Sequence, residues 1–162
     1  MSVKAYIGLG ANLEEPQQQL ETALVALHRL PGSRVVKRSS FYRSKPMGPA
    51  EQPDYINAVA ELETTLAPPA LLLALQGIEQ AQGRDRSGQR WSARTLDLDL
   101  LLYADEIIHT DSLQVPHPGL AERDFVLVPL AEIAPDVVIP GQPGLQALLE
   151  HCPVYGLERL PG

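Results

Sequence analysis

RTLDLDLLLY, residues 94–103, sets two aspartates into a run of leucines. Read as a strand, the stretch sends alternate side chains to opposite faces. Leu96, Leu98, Leu100 and Leu102 then point one way, and Asp97, Asp99, Leu101 and Tyr103 point the other. The leucine row needs helices to cover it, which leaves the aspartates on an open face. Their Cβ atoms stand roughly 6–7 Å apart along such a strand. Aspartate is a poor strand residue, and two like charges at that range oppose each other's ionisation. Arginines or a hard divalent cation such as magnesium would compensate. For a D-x-D tripeptide taken alone, a solvated strand face is the plain alternative.

The surrounding chain supplies the rest of the sheet. Residues 3–10, VKAYIGLG, read as a strand. Asn12, Glu15 and Pro16 make a helix start, Leu20, Ala23, Leu24 and Leu27 follow at helical spacing, and Pro31-Gly32 stops the run. Arg34 to Tyr42 is rich in strand formers. Pro46, Gly48, Pro49 and Pro53 mark a stiff loop over 44–54. Tyr55 to Thr64 alternates, with Ile56, Ala58, Ala60 and Leu62 on one face and Tyr55 and Asn57 on the other. Pro68-Pro69 opens a second helix with a stripe of Leu71, Leu75 and Ile78. After the aspartate strand, a turn at Ala104-Asp105 predicts pairing back through Ile107 and Ile108. Helices are expected over 125–133, despite Pro129, and around 145–149.

Strand, helix, strand, strand, helix, strand is the split βαβ, ferredoxin-like pattern. It predicts an α+β sandwich with a mainly antiparallel sheet, helices on one face, the active site on the other, and loops forming a lid. All 162 residues are expected to form one domain.

Charge is distributed unevenly. The formal net charge is −7, which disfavours wholesale binding to nucleic acid or an anionic membrane. Yet four of the ten arginines, Arg84, Arg86, Arg90 and Arg94, crowd into the segment just before the aspartates. Either these salt-bridge to local acids such as Asp85, or guanidinium groups and a carboxylate-held cation surround a polyphosphate, the arrangement phosphoryl transfer uses. No GxxxxGK[ST] is present, and GLGANL at 8–13 puts Leu13 where a dinucleotide fingerprint has its third glycine. Tyr55 with Asn57 offers a flat heterocycle a stacking surface and a fixed hydrogen-bonding edge. Cys152 is the single cysteine, so no internal disulfide forms and a reduced, cytoplasmic protein is expected. No apolar run reaches the roughly 20 residues that span a bilayer.

Taken together, GANL (10–13), SSFYRS (39–44), QPDYINAV (52–59), RWSARTLDLDLLLY (90–103), VPHP (115–118) and RDFVLVPL (123–130) resemble the 6-hydroxymethyl-7,8-dihydropterin pyrophosphokinase family, in order and over nearly the whole chain. The resemblance implies a monomeric ferredoxin-like enzyme that transfers pyrophosphate from ATP to the pterin hydroxymethyl group and releases AMP. It implies that Asp97 and Asp99 bind two Mg²⁺ ions and that Arg84 and Arg94 contact phosphates, Arg84 from a moving loop. Glu79, His117 and Arg123 would serve ATP. Tyr55 and Phe125 would sandwich the pterin, Asn57 would read its edge with groups near Ser44 and Met47, and Trp91 would close over it. No second folate-enzyme domain is expected on this chain.

Three positions depart from the family's pattern: Lys45 where proline is frequent, Ser92 where glycine or alanine is usual, and Ser112 where an arginine often helps bind ATP. A palm-type two-metal nucleotidyl transferase is the rival enzyme reading. A small ligand-sensing or RNA-binding module is the non-enzymatic one. An RNA module would interleave basic and aromatic residues on its central strands, which this chain does not.

Overall fold

The structure is a computed structural model, and it describes residues 2–11, 15–44, 55–82, 96–152 and 157–160. Five strands, two helices and two further strands alternate in the first two thirds of the chain. Strand β1 spans Val3–Ala11, helix α1 Pro16–His28, β2 Ser33–Arg38, β3 Tyr42–Ser44, β4 Tyr55–Thr64, helix α2 Pro68–Ala81 and β5 Asp97–Tyr103. Two short strands follow, β6 at Ile108–His109 and β7 at Gln114–Val115. Helix α3 covers Asp124–Ile133, α4 Leu145–His151, and β8 Glu158–Arg159 closes the series. The main sheet runs β5-β1-β4-β3-β8, with β2 also on β4, and its paired strands are antiparallel. This order, with β2 and β3 sharing one side of β4, is what the split βαβ alternation predicts.

Alternation along the central strands builds the first core. Ala5, Ile7, Leu9 and Ala11 of β1, Ile56, Ala58, Ala60 and Leu62 of β4, and Leu96, Leu98 and Leu100 all join one buried cluster. Leu20, Ala23, Leu24 and Leu27 of α1 and Leu71, Leu75 and Ile78 of α2 cover it. Each helix thus buries the stripe its spacing announces. Helix α1 begins at Pro16, after Glu15 takes a left-handed φ of 57°. Glu15 therefore sits at the N-cap rather than inside the first turn, and Asn12 lies outside the described residues.

The alternation in β5 does not hold to its end. Tyr6 pairs with Leu102 but Ile7 pairs with Leu100, so Leu101 is an extra residue, a β-bulge. The bulge flips the parity: Leu102 joins the second face, and Tyr103 turns to the first, where its hydroxyl donates to the Leu66 carbonyl at 2.6 Å. The return through Ile107 and Ile108 also differs. Ala104 turns with a positive φ of 50°, and Ile108 pairs with Val115 in a separate two-stranded ribbon rather than with β5.

The second face is not free of helices either, a further difference from the expected one-sided arrangement. Val126, Leu127, Leu130 and Ile133 of α3 and Leu145 and Leu148 of α4 pack there on Tyr6, Val59, Leu101 and Leu102. Pro129 lies inside α3, where it forfeits one intrahelical bond while its ring is buried. Helices α3 and α4 therefore cover one end of this face. The other end, beyond Tyr6 along β1, stays open.

Candidate active site

The open end has a glycine floor. Gly8 pairs with Asp99 and Gly10 with Asp97 across β1–β5, while Gly10 also pairs with Asn57 across β1–β4. A Cβ on Gly10 would lie 3.1 Å from the Asn57 Oδ1, and one on Gly8 would press on Leu101 at 3.4 Å. Bare backbone in the central strand thus gives the neighbouring side chains their room. Over this floor lies a pocket of about 220 Å³. Its walls include Ser44, Tyr55, Asn57, Asp97, Asp99, Arg123 and Phe125. That volume is below the roughly 300–1,000 Å³ typical of drug-sized ligands, so it suits one small ring system.

The walls come from different elements. Tyr55 and Asn57 share a face of β4. Asn57 is buried and its Nδ2 donates to Ser44 Oγ at 2.7 Å, which fixes the amide's orientation. Phe125 comes from the first turn of α3. Arg123, at the N-cap of that helix, holds its guanidinium carbon 5.8 Å from the centre of the Phe125 ring. Gly119 makes this placement possible, since a Cβ there would stand 2.7 Å from Arg123 Nε.

A second pocket adjoins the first and shares Asp99 with it. Its lining includes Leu72 of α2, Leu100 of β5, Asp111, Ser112 and Leu113 before β7, and His117. His117 Nε2 lies 3.9 Å from Asp99 Oδ1. Its Nδ1 accepts the backbone N–H of Gly119 at 3.0 Å, so in the neutral ring the proton sits on Nε2, toward the aspartate. Burial lowers the His117 pKa below its ordinary 6.5, the Arg123 charge lowers it further, and Asp97 partly opposes both. The ring is therefore neutral at pH 7, with its donor at Nε2.

Glu79 sits apart from both linings, though its effect reaches them. It is only 3% exposed, and its Oε2 accepts the backbone N–H of Leu98, the residue between the two aspartates, at 2.7 Å. The carboxylate thus occupies a donor of the β5 backbone from the α2 side. Asp97, Asp99, Tyr55, Asn57, Ser44, Arg123 and Phe125 line one pocket, with His117 beside Asp99. Arg84, Trp91, Arg94 and Met47 lie outside the described residues. The glycine floor and Val126 went unrecognised as site residues. The G-x-G of β1 is the sequence signal for the floor. Among the described residues no group of three or more His, Cys, Asp and Glu is placed to hold a metal, and no helix is long and apolar enough to cross a membrane.

Asp99 lines both pockets and Asp97 one of them, with a neutral histidine and an arginine alongside, a charge pattern suited to phosphoryl transfer on an antiparallel α/β sandwich. Comparison with known proteins narrows that class. The family described as 7,8-dihydro-6-hydroxymethylpterin-pyrophosphokinase matches residues 6–135. A Pseudomonas aeruginosa 2-amino-4-hydroxy-6-hydroxymethyldihydropteridine pyrophosphokinase is 50% identical over 162 residues, covering 100% of this chain and 99% of the relative. A Haemophilus influenzae protein of the same name is 51% identical over 149 residues, 92% of each chain. Among solved structures, a Plasmodium falciparum HPPK-DHPS triple mutant superposes with a TM-score of 0.76 at 14% identity, over 93% of this chain and 43% of that one. The chain belongs to the 7,8-dihydro-6-hydroxymethylpterin pyrophosphokinase family.

Proposed function

We propose that the open end of the sheet binds both substrates of the family's reaction at once. The heterocycle takes the Tyr55–Asn57–Phe125 pocket, the nucleotide takes the pocket beside Leu72, Ser112 and His117, and the phosphates lie between them at Asp97 and Asp99. The enzyme transfers pyrophosphate from ATP to the hydroxymethyl group of 6-hydroxymethyl-7,8-dihydropterin in folate biosynthesis, giving AMP and the dihydropterin diphosphate. One observation supports this assignment above the others: the two pockets meet at Asp99. A palm-type nucleotidyl transferase is not favoured, since the family match extends across the fold.

In the reaction the pterin hydroxyl oxygen bonds to the β-phosphorus, the bond from that phosphorus to the α-phosphate's bridging oxygen breaks, and the hydroxyl proton is lost. An alcohol is a weak nucleophile, so the chain contributes chiefly alignment. Tyr55 and Phe125 hold the ring system by stacking, and Asn57, oriented by Ser44, reads its edge. Asp97 and Asp99 fit magnesium: they are hard oxygen donors on one strand face, and the ion commonly fills its other positions with phosphate oxygens and water. When bound, magnesium neutralises charge on the phosphates. Two ions are proposed. His117 donates from Nε2, Arg123 supplies fixed positive charge, and Arg84 and Arg94 add phosphate contacts. Glu79 serves ATP through the strand it braces. Met47 and Trp91 complete the heterocycle site, and the lid, the single 1–162 domain, the monomeric state and the cytoplasmic location belong to the same proposal.

Product analysis tests it. Protein, Mg²⁺, ATP and the hydroxymethyl dihydropterin should yield AMP in equal amount to the pterin diphosphate. ADP as the nucleotide product, or no turnover, would contradict the assignment.

A further inference from the structure

The two walls of the heterocycle pocket belong to elements that no backbone ladder joins. Ser44 comes from β3 and Phe125 from α3, and what ties these elements together is a cluster at the far end of the helix. Glu132, in the last turn of α3, accepts the backbone N–H of Ser40 on both carboxylate oxygens at 3.0 Å. Its Oε2 also accepts the Ser40 hydroxyl at 2.9 Å, and its Oε1 accepts the Tyr42 hydroxyl at 2.7 Å. Arg159 of β8 approaches Oε2 at 3.7 Å and donates from Nε to Ser40 Oγ at 2.9 Å. Burial alone would push the Glu132 carboxyl up, but the bonds from Tyr42 and Ser40 and the charge of Arg159 hold it below its ordinary value. Three donors, one of them shared between both oxygens, thus converge on one carboxylate through charge-assisted hydrogen bonds.

Tyr42 is also the β3 residue paired with Asn57. Glu132 therefore grips the strand that sets the neighbour of the edge-reading amide, and it does so from the helix that carries Phe125 and Arg123. The seven helical steps from Phe125 to Glu132 make a rod of roughly 10 Å. A slip at the Glu132 end changes the gap between Phe125 and the Tyr55–Asn57 face at the other.

We propose that Glu132 is a positioning residue for the heterocycle pocket: by tying α3 to Ser40 and Tyr42 it sets the spacing between Phe125 and the sheet, and so the affinity for a flat bicyclic substrate. This rests on the heterocycle assignment made above, and the experiment separates the two. Steady-state KM for each substrate and thermal stability are measured for the full chain and for Glu132→Ala, Glu132→Gln and Phe125→Ala. Glu132→Ala raises the pterin KM about tenfold, leaves the ATP KM within about twofold, and Glu132→Gln falls between. Phe125→Ala raises the pterin KM at least as far. A normal pterin KM in Glu132→Ala beside a raised one in Phe125→Ala overturns the Glu132 role. So does an equal rise in both substrates' KM that tracks lost stability, because that is what a merely structural carboxylate gives. An unchanged pterin KM in Phe125→Ala overturns the pocket assignment, and the Glu132 role with it. Should Glu132→Ala not fold, Glu132→Gln and Tyr42→Phe carry the same criteria.

Discussion

His117 shows how a single residue's environment fixes its chemistry. The loop N–H of Gly119 occupies Nδ1, so the neutral ring has its proton at Nε2 and directs it at Asp99. Protonation would turn Nδ1 into a donor facing another donor, and burial and Arg123 already disfavour the cation. The folded-state pKa lies below the unfolded value of about 6.5, so below that pH the unfolded chain binds more protons. The stability His117 contributes is thus complete above about pH 6.5 and is lost as pH falls through the lower folded-state value. Melting temperatures across pH 5–8 should drop more steeply on the acid side in the native chain than in His117→Gln. Parallel curves would show that the ring titrates as freely in the folded protein as in the unfolded one.

At the scale of elements, β5 holds most of what was legible and most of what was not. Its D-x-D, set against leucines at every second position, placed both carboxylates on the face opposite α1 and α2, because burial of Leu96, Leu98 and Leu100 leaves the chain no other choice. The bulge at Leu101 was hidden, since Leu100, Leu101, Leu102 and Tyr103 are all apolar enough for either face and only pairing with Tyr6 and Ile7 decides the parity. The docking of α3 on the site's own face was hidden for a similar reason. Its stripe of Val126, Leu127, Leu130 and Ile133 says that it packs, not on which side. Ile108 pairs with Val115 and not with β5, a choice of partner that the turn at Ala104-Asp105 does not reveal.

Glu79 belongs to the element scale as well. Its link to Leu98 joins residues nineteen apart, and periodicity along one segment says nothing of such a pair. Replacing it by alanine removes the acceptor from a buried backbone N–H, which costs about 1–3 kcal/mol. Urea unfolding of Glu79→Ala should register that loss, and an unchanged midpoint would show that the Leu98 N–H finds another acceptor.

Over the whole molecule, function follows from an uneven division of the sheet. One face is buried throughout under α1 and α2. The other is half covered by α3 and α4 and half left open over two glycines, so Asp99 sits where two pockets meet, with Asp97 beside it in one of them. We propose that this junction, more than any single ligand contact, holds the transferred phosphates. The most direct test replaces Asp97 and Asp99 by asparagine, singly, and measures kcat with both substrates saturating, alongside the ligand-free melting temperature. Each change should lower kcat by at least on the order of 10²–10³-fold, as loss of one group that stabilises transition-state charge does. Stability should hold or rise, since one of two mutually repelling negative charges is removed. Turnover within tenfold of the native chain in either variant would contradict the account.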